Sequence, residues 1–295
     1  MTFLRVSTLR NELHTIYFNT LNKKVLDSKG FVKIIDCMPR VIPNEARSLM
    51  CDSAVVQAAR VSYGEGLKDF NTDTKLINYL YKNKHTSPFE MVKFKFHIKA
   101  PIFVARQWFR HRMGNYNEIS GRYSKLNSEF YVPNNLYSQS KDNKQLSDLN
   151  INLLENEEIK NIFLEYINNN DKQYSLYNKL IDLGVSREIA RIGLPQNLYT
   201  EFYWSIDLHN LFNFIRLRDS NNAQGEIKEY AKTIKKLVKV LCPISMDAYD
   251  TFTNLNLSKN QIESLQFKTD NLKESEIKEL KKLGLRKCEF IPFLL

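Results

Sequence analysis

Residues 93–99 read Lys-Phe-Lys-Phe-His-Ile-Lys, a strict alternation of polar and apolar side chains. An extended strand with one face on a core and the other in water fits this pattern, because successive side chains of a strand point to opposite faces. Phe94, Phe96 and Ile98 then face inward, and Lys93, Lys95 and His97 outward. His97, alone among lysines, reads as a solvated residue rather than a catalytic one. A second alternation, from Leu198 to Asp207, sets Thr200, Phe202, Trp204 and Ile206 against Glu201, Tyr203 and Ser205. Each run leads directly into a helix signal: Pro101 opens one over VARQWFRHR, and Asp207 can cap LHNLFNFIRLR. The expected fold class is α+β, a single mixed domain with a small antiparallel-type sheet and long helices.

The remaining elements follow from period and punctuation. FVKIIDCM, from Phe31, has strand character, and 44–60 and 72–84 carry helical apolar stripes separated by the loop VSYGEGLKDF. In HTSPFE, Ser87 is placed as N-cap, Pro88 at the first helical position and Glu90 at the third, a capping box. Ser186 is a candidate cap for REIARIGL, and an amphipathic helix over 223–241 stops at Pro243. Residues 1–30 read as an N-terminal extension, 31–257 as the folded domain and 258–295 as a charged C-terminal tail. Within the domain, 134–172 is polar and biased, an expected insertion with a weak helix near its end.

The charge balance narrows the partners. Among 295 residues, 43 cationic side chains face 33 anionic ones, a net +10, which points to an anionic partner. Much of the excess lies in Lys/Asn-rich peripheral segments, so phosphorylated small molecules are favoured over nucleic acid. Cys37, Cys51, Cys242 and Cys288 are far apart and form no metal-ligand spacing; no metal is expected, and a reduced, cytoplasmic protein fits. No apolar run is long enough to span a membrane. A phosphate-binding P-loop, a dinucleotide glycine fingerprint, a G-x-S-x-G elbow and an HExxH pair are all missing from the sequence.

Against that background the stretch RQWFRHRMGNYNEISGRY, residues 106–123, stands out. Arg106, Arg110, Arg112 and Arg122 share it with His111 and a single acid, Glu118. Arginine presents a planar fork that fits phosphate or carboxylate. On a helix, Gln107, Arg110 and His111 share one face. Gly114 ends that helix, and NYNEISGRY is expected as a loop wrapping a phosphorylated ligand. A basic surface helix is the plainer alternative, but Trp108, Phe109 and Tyr116 interleave with the charges and suit a surface poorly.

The run from Arg110 to Tyr123 resembles the RHRxxSxNExSxRY signature of flavin-dependent thymidylate synthases, with Asn115 in the first serine slot. HTSPFE, ARIGLPQNLYTEFYW and NFIRLRDSNNAQGEIKEYA are similar to the same family, so the resemblance covers most of 31–255. It implies that family's fold and the reductive methylation of dUMP to dTMP. FAD would be the cofactor, 5,10-methylenetetrahydrofolate the carbon donor and NADPH the reductant of the flavin. It also implies a homotetramer with shared active sites. By the same resemblance dUMP contacts Gln107, Trp108, Phe109 and Arg110, then Glu118, Ile119, Ser120, Gly121 and Arg122, with Arg191 in addition. Arg218 would sit against the uracil and favour its ionisation at N3, the catalytic role. FAD would be held by Ser87, Arg110, His111, Arg112 and Glu118, together with Asp207, Leu208, His209 and Asn213. His85, Ser62 and Glu90 fall near its periphery.

The sequence departs from the family where its usual HAQ reads Asn222-Ala223-Gln224, where Asp207 replaces an asparagine and where His209 replaces an arginine. These changes bear on flavin affinity. Cys242 precedes proline and lacks the neighbouring histidine that the classical, folate-reducing thymidylate synthases need, so it reads as structural. Two alternatives stay open at this stage. One is a basic nucleic-acid-binding protein, and the other a family member that binds flavin and nucleotide without turnover.

Overall fold

The computed structural model describes residues 18–40, 49–141, 144 and 147–253. These residues divide into two compact units, 18–40 with 92–237 and 49–91 with 238–253, a finer division than the expected single domain. The tail at 258–295 and the expected helix residues 44–48 lie outside the described residues.

The first unit is built on a five-stranded antiparallel sheet. Its strands are β1 (Asn22–Val25), β2 (Gly30–Met38), β3 (Lys93–Pro101), β4 (Asn115–Glu118) and β7 (Tyr199–Asp207), in the order β1-β2-β3-β7-β4. The two alternating runs pair along their whole length, Phe94 opposite Ile206, Phe96 opposite Trp204 and Ile98 opposite Phe202. Their inward residues are all buried. On the outward face His97 is half-buried and does have a partner: Nε2 lies 2.9 Å from Glu201 Oε2, and the ring stacks on Tyr203.

Three helices supply residues to the buried face. They are α3 (Ile102–Trp108), α6 (Leu208–Arg218) and α7 (Gly225–Leu241). Trp108 meets Phe202, Trp204, Phe214 and Tyr230 at ring-centroid distances of 5.0–5.6 Å, mostly edge to face.

Three expectations need correction here. The boundary at residue 30 falls inside a hairpin, since β1 pairs with β2 from Asn22↔Lys33 to Val25↔Gly30. Asn115–Glu118 is an edge strand rather than loop, pairing with β7 at Asn115↔Ser205 through Glu118↔Phe202. The polar stretch 134–172 contains a two-stranded ribbon, β5 (Tyr137–Gln139) with β6 (Ser147–Asn152), and then the start of α4, Glu157–Asp182. That 26-residue helix is not weak. Asn156 caps it by accepting from Ile159 N, Glu157 and Glu158 complement its dipole, and Gly184 at φ +88° closes it. There Val185 N donates to Leu180 O and Gly184 N to Ile181 O, a Schellman motif.

The second unit is helical. It holds α1 (Asp52–Arg60), α2 (Phe70–Lys82) and α8 (Pro243–Thr253), with a 3-10 turn at Ser87–Met91. HTSPFE therefore makes one tight turn rather than opening an α-helix. α7 does end at Leu241, before Pro243, as expected, but Pro243 also begins a further helix, α8, where proline's missing N–H costs nothing. Tyr81 packs on Phe89, Tyr249 and Phe252, and its hydroxyl meets Thr253 Oγ1 at 2.6 Å.

Two buried carboxylates anchor this unit. Asp73 pairs with Arg60 at 2.6 Å, and Arg60 also donates to Gly66 O. Asp52, wholly buried, accepts from Ile244 N at 2.7 Å, Ser245 N at 3.2 Å and Ser245 Oγ at 2.5 Å, so it caps α8 from 192 residues away in sequence. No helix among the described residues is long and apolar enough to cross a membrane.

Candidate active site

The arginine-rich stretch leaves the sheet's buried face and turns back to form its edge. α3 ends at Trp108, sooner than expected, and the chain tightens: Arg110 N donates to Gln107 O at 3.3 Å and His111 N to Trp108 O at 2.9 Å. The predicted polar face of Gln107, Arg110 and His111 is thereby broken up. Arg110 and Arg112 are exposed, whereas His111 is buried.

The turn that follows is clamped. Tyr116 stacks on Trp204 with the rings 12° apart, and its hydroxyl donates to His111 O at 2.6 Å. Gly114 passes so close to the core that a Cβ would lie 2.5 Å from Trp204 Nε1 and 3.1 Å from Ser205 O. Gly114→Ala is expected to cost about 1–3 kcal/mol through overpacking. The melting temperature checks this; a variant as stable as wild type would refute the clamp.

The expected residues gather into two clusters. The first centres on Arg218, the last residue of α6. Its Nη2 donates to the main-chain carbonyl of Gln107 at 3.1 Å. Burial lowers its pKa and nearby Tyr116 raises it, but a guanidinium remains charged throughout the physiological range. Gln107 itself donates from Nε2 to Oε1 of Gln224. Next to them, His111 lies edge-on to Phe214. Burial lowers the His111 pKa and the Arg218 charge acts in the same direction, opposed by the Asn210 main chain and Asp207, so the ring is neutral at pH 7. His111 Nε2 and Arg218 Nε are buried without a hydrogen-bond partner among the described residues. Buried polar atoms of this kind are rare unless a ligand or water completes them.

The second cluster follows β4. Glu118 accepts from Thr200 Oγ1 at 2.6 Å, and Ile119 N donates to Glu201 O. A tight turn then closes on Ser120, whose carbonyl accepts from Tyr123 N and Ser124 N and whose hydroxyl accepts from Arg122 N. Gly121 lets Arg191 close in: a Cβ there would stand 3.1 Å from Arg191 Cδ. Arg191 and Arg122 are both exposed, and Arg122 Nε is 3.4 Å from Glu188 Oε1. The guanidinium of Arg122 on the turn, that of Arg191 packed against it and the Ser120 hydroxyl make a concentrated set of anion donors.

Some expected contacts have other work. The side chains of Trp108 and Leu208 are completely buried, because both lie on apolar helix faces. Asp207 caps α6, accepting from Asn210 N at 2.9 Å and Asn210 Nδ2 at 2.8 Å. Asn213 accepts from Arg216 at 2.7 Å, and His209 is half-buried. Phe109 packs against Tyr116 and Phe202. Ser87 is in the second unit, exposed, at the start of the 3-10 turn. Sequence reading passes over Glu188 as a contact, since a lone glutamate carries no distinguishing pattern, and names Gln224 only within the Asn222-Ala223-Gln224 triplet, not as the partner of Gln107. Among the described residues no group of three or more His, Cys, Asp or Glu could hold a metal ion.

Comparison with known proteins gives this arrangement a lineage. The family described as Thymidylate synthase complementing protein matches residues 47–244. The chain is 44% identical over 263 residues to the flavin-dependent thymidylate synthase of Dictyostelium discoideum, spanning 86% of this chain and 84% of that one. It is 51% identical over 226 residues to the enzyme of the same name from Thermus thermophilus, 77% of each. Among solved structures, the UMP/dUMP methylase PolB from Streptomyces cacaoi, bound with 5-Br dUMP, matches with a TM-score of 0.64 and 29% identity, covering 77% of this chain and 97% of that one. With its arginine clusters on the sheet edge and family similarity along most of its length, the chain belongs to the flavin-dependent thymidylate synthases.

Proposed function

We propose that this enzyme converts dUMP to dTMP in the cytoplasm, with FAD as cofactor, 5,10-methylenetetrahydrofolate as carbon donor and NADPH as the source of electrons. When bound, reduced flavin would supply the hydride that takes the transferred carbon to a methyl group. The observation that carries the reading is the convergence on Arg218: a half-buried cation with an uncommitted Nε, seated beside Gln107. A fixed positive charge there stabilises the uracil ring as it loses its N3 proton, and so pushes electron density towards C5. Arginine does this by electrostatics, since it does not give up its own proton.

The second cluster suits the phosphate. Ser120, Gly121, Arg122 and Arg191 offer main-chain and guanidinium donors, which bind a phosphate with charge-assisted bonds. Arg110, His111 and Arg112, with Glu118, His209 and Asn213, would hold the flavin; the orphaned His111 Nε2 fits a bound group at that place. The site is read as shared between copies in a homotetramer, in keeping with two clusters that each supply only part of a nucleotide's contacts.

Tritium release from [5-³H]dUMP tests the reading. Release is expected only when FAD, NADPH and methylenetetrahydrofolate are all present, and omission of any one should abolish it. Release that continues without folate would dismiss the carbon donor, and bound flavin with no release would dismiss turnover. Running [5-³H]UMP in parallel addresses the base-plus-sugar choice raised by the structural relative.

A further inference from the structure

The turn from Ser120 to Ser124 is closed by its own main-chain bonds, but the chain leaving it is held by a helix 48 to 51 residues further on. Leu126 O accepts from the hydroxyl of Tyr174 at 2.7 Å, and Leu126 N donates to the hydroxyl of Tyr177 at 3.2 Å. Both tyrosines belong to α4, where their i, i+3 spacing puts them on one face. A carbonyl can only accept and an N–H can only donate, so neither bond can reverse its sense. The rings are fixed as well. Tyr177 is buried, its ring lies 5.6 Å from that of Tyr174, and Tyr174 meets Phe130 edge-on at 6.3 Å. Phe130 in turn bridges to Leu198, next to β7. Leu126 is thus tied through both its main-chain groups to rings anchored beside the sheet.

What Leu126 touches gives this clamp its meaning. A Cβ at Gly121 would stand 3.1 Å from Leu126 Cδ1 and 3.1 Å from Arg191 Cδ, so Gly121 lies between those two side chains with no room to spare. Leu126 is one wall and Arg191 the other. Gln173, also on α4, has its Oε1 3.5 Å from the Cβ position of Gly193, in the 3-10 turn that begins at Arg191. One helix therefore backs both pieces of chain that bring guanidinium groups to this cluster, the one bearing Arg122 and the one bearing Arg191. Both side chains are exposed and long, so what brings them together is the main chain beneath them. Charge-assisted bonds to a phosphate depend on direction as well as on charge, and a turn that slid away from Arg191 would splay the donors.

We propose that Tyr174 and Tyr177 are positioning residues for the nucleotide's phosphate: by clamping Leu126 they hold the Gly121 turn against Arg191, so that Arg122 and Arg191 close on one phosphate. The inference rests on the reading of this cluster as the phosphate site. Neither tyrosine is assigned to touch the ligand; each acts through Leu126.

The test compares binding of dUMP with that of deoxyuridine, the same ligand without its phosphate, by calorimetry on the full-length, flavin-loaded protein. Wild type, Tyr174→Phe, Tyr177→Phe and the double variant are measured, since phenylalanine keeps each ring and removes only the hydroxyl. In the double variant dUMP is expected to bind about five- to tenfold more weakly while deoxyuridine stays within about twofold of wild type, and each single variant should show part of that loss. Wild-type dUMP affinity in the double variant overturns the proposal. Equal weakening of both ligands overturns it too, because the tyrosines then support the fold and not the phosphate. If wild type itself binds dUMP no more tightly than deoxyuridine, the phosphate reading of the cluster falls and the clamp's role falls with it. Thermal melts show that folded proteins are being compared, and the single variants carry the same comparison should the double variant not fold.

Discussion

Arg218→Ala retains bound flavin and loses turnover, by on the order of 10²–10³-fold or more. That is the scale on which removal of one preorganised electrostatic contact slows a reaction that develops charge. The guanidinium is not part of the core. It comes off the last turn of α6 and donates to the Gln107 carbonyl, so truncation leaves that acceptor without its charged donor and the fold otherwise intact. Arg218→Lys should recover only part of the rate, since an ammonium is a point charge without the planar fork. Flavin absorbance of the purified variant together with single-turnover tritium release is the measurement. Release within tenfold of wild type would remove Arg218 from the catalytic role.

The second large effect is on stability. Asp52→Ala is expected to cost roughly 3–5 kcal/mol, because two main-chain N–H groups and a hydroxyl at the start of α8 lose a buried acceptor together. Its charge also gives a pH signature. Burial pushes the Asp52 pKa up to about 7, although the bonds from Ser245 and Ile244 pull it back. For a carboxyl raised in the folded state, the folded protein still holds a proton that the unfolded chain has released above about pH 4. Its contribution is therefore most favourable below that pH and declines as pH rises towards 7. Asp52→Asn cannot titrate, so the stability difference between wild type and this variant should shift against wild type over that window. Denaturant melts at several pH values measure it. A difference that stays constant between pH 4 and 7 would show that the three donors hold Asp52 ionised throughout.

How much of this is readable from the chain depends on where each residue's partners lie. β3 and β7 are legible because both bury one face, so a period of two is written into Phe94–Ile98 and Thr200–Ile206 and the pairing of Phe96 with Trp204 follows. β4 is not, since NYNE is a four-residue edge strand with little to bury and no alternation to display. α4 looks weaker in sequence than it is, for a related reason. Only Asn170 and Tyr177 of its side chains are buried, so its signals are the cap, the first-turn acids and Gly184 rather than a stripe. α8 escapes a reading that treats Pro243 as a stop, although proline serves equally at a helix start.

The site divides along the same line. The arginine-rich motif names most of its own members because they are neighbours in sequence. Arg218 meets Gln107 across 111 positions and Gln224 meets it across 117, so that geometry has to come from the fold. Asp52 shows the limit most sharply. It looks like any first-turn acid, and only tertiary structure reveals that it caps a different helix.

The helical unit is made from two stretches of chain with β3, β4 and β7 between them, and this sets an order of events during synthesis. When residue 91 leaves the ribosome, α1 and α2 exist as sequence but α8 does not. Roughly 150 more residues must follow, about 8–30 s at 5–20 residues per second. For that interval the Asp52 carboxylate has none of its three donors and Tyr81 lacks Tyr249 and Phe252. The sheet, with β3 at its centre, has all its strands by residue 207. The nascent chain is thus expected to collapse around its middle first and to expose an unfinished helix pair until α8 arrives.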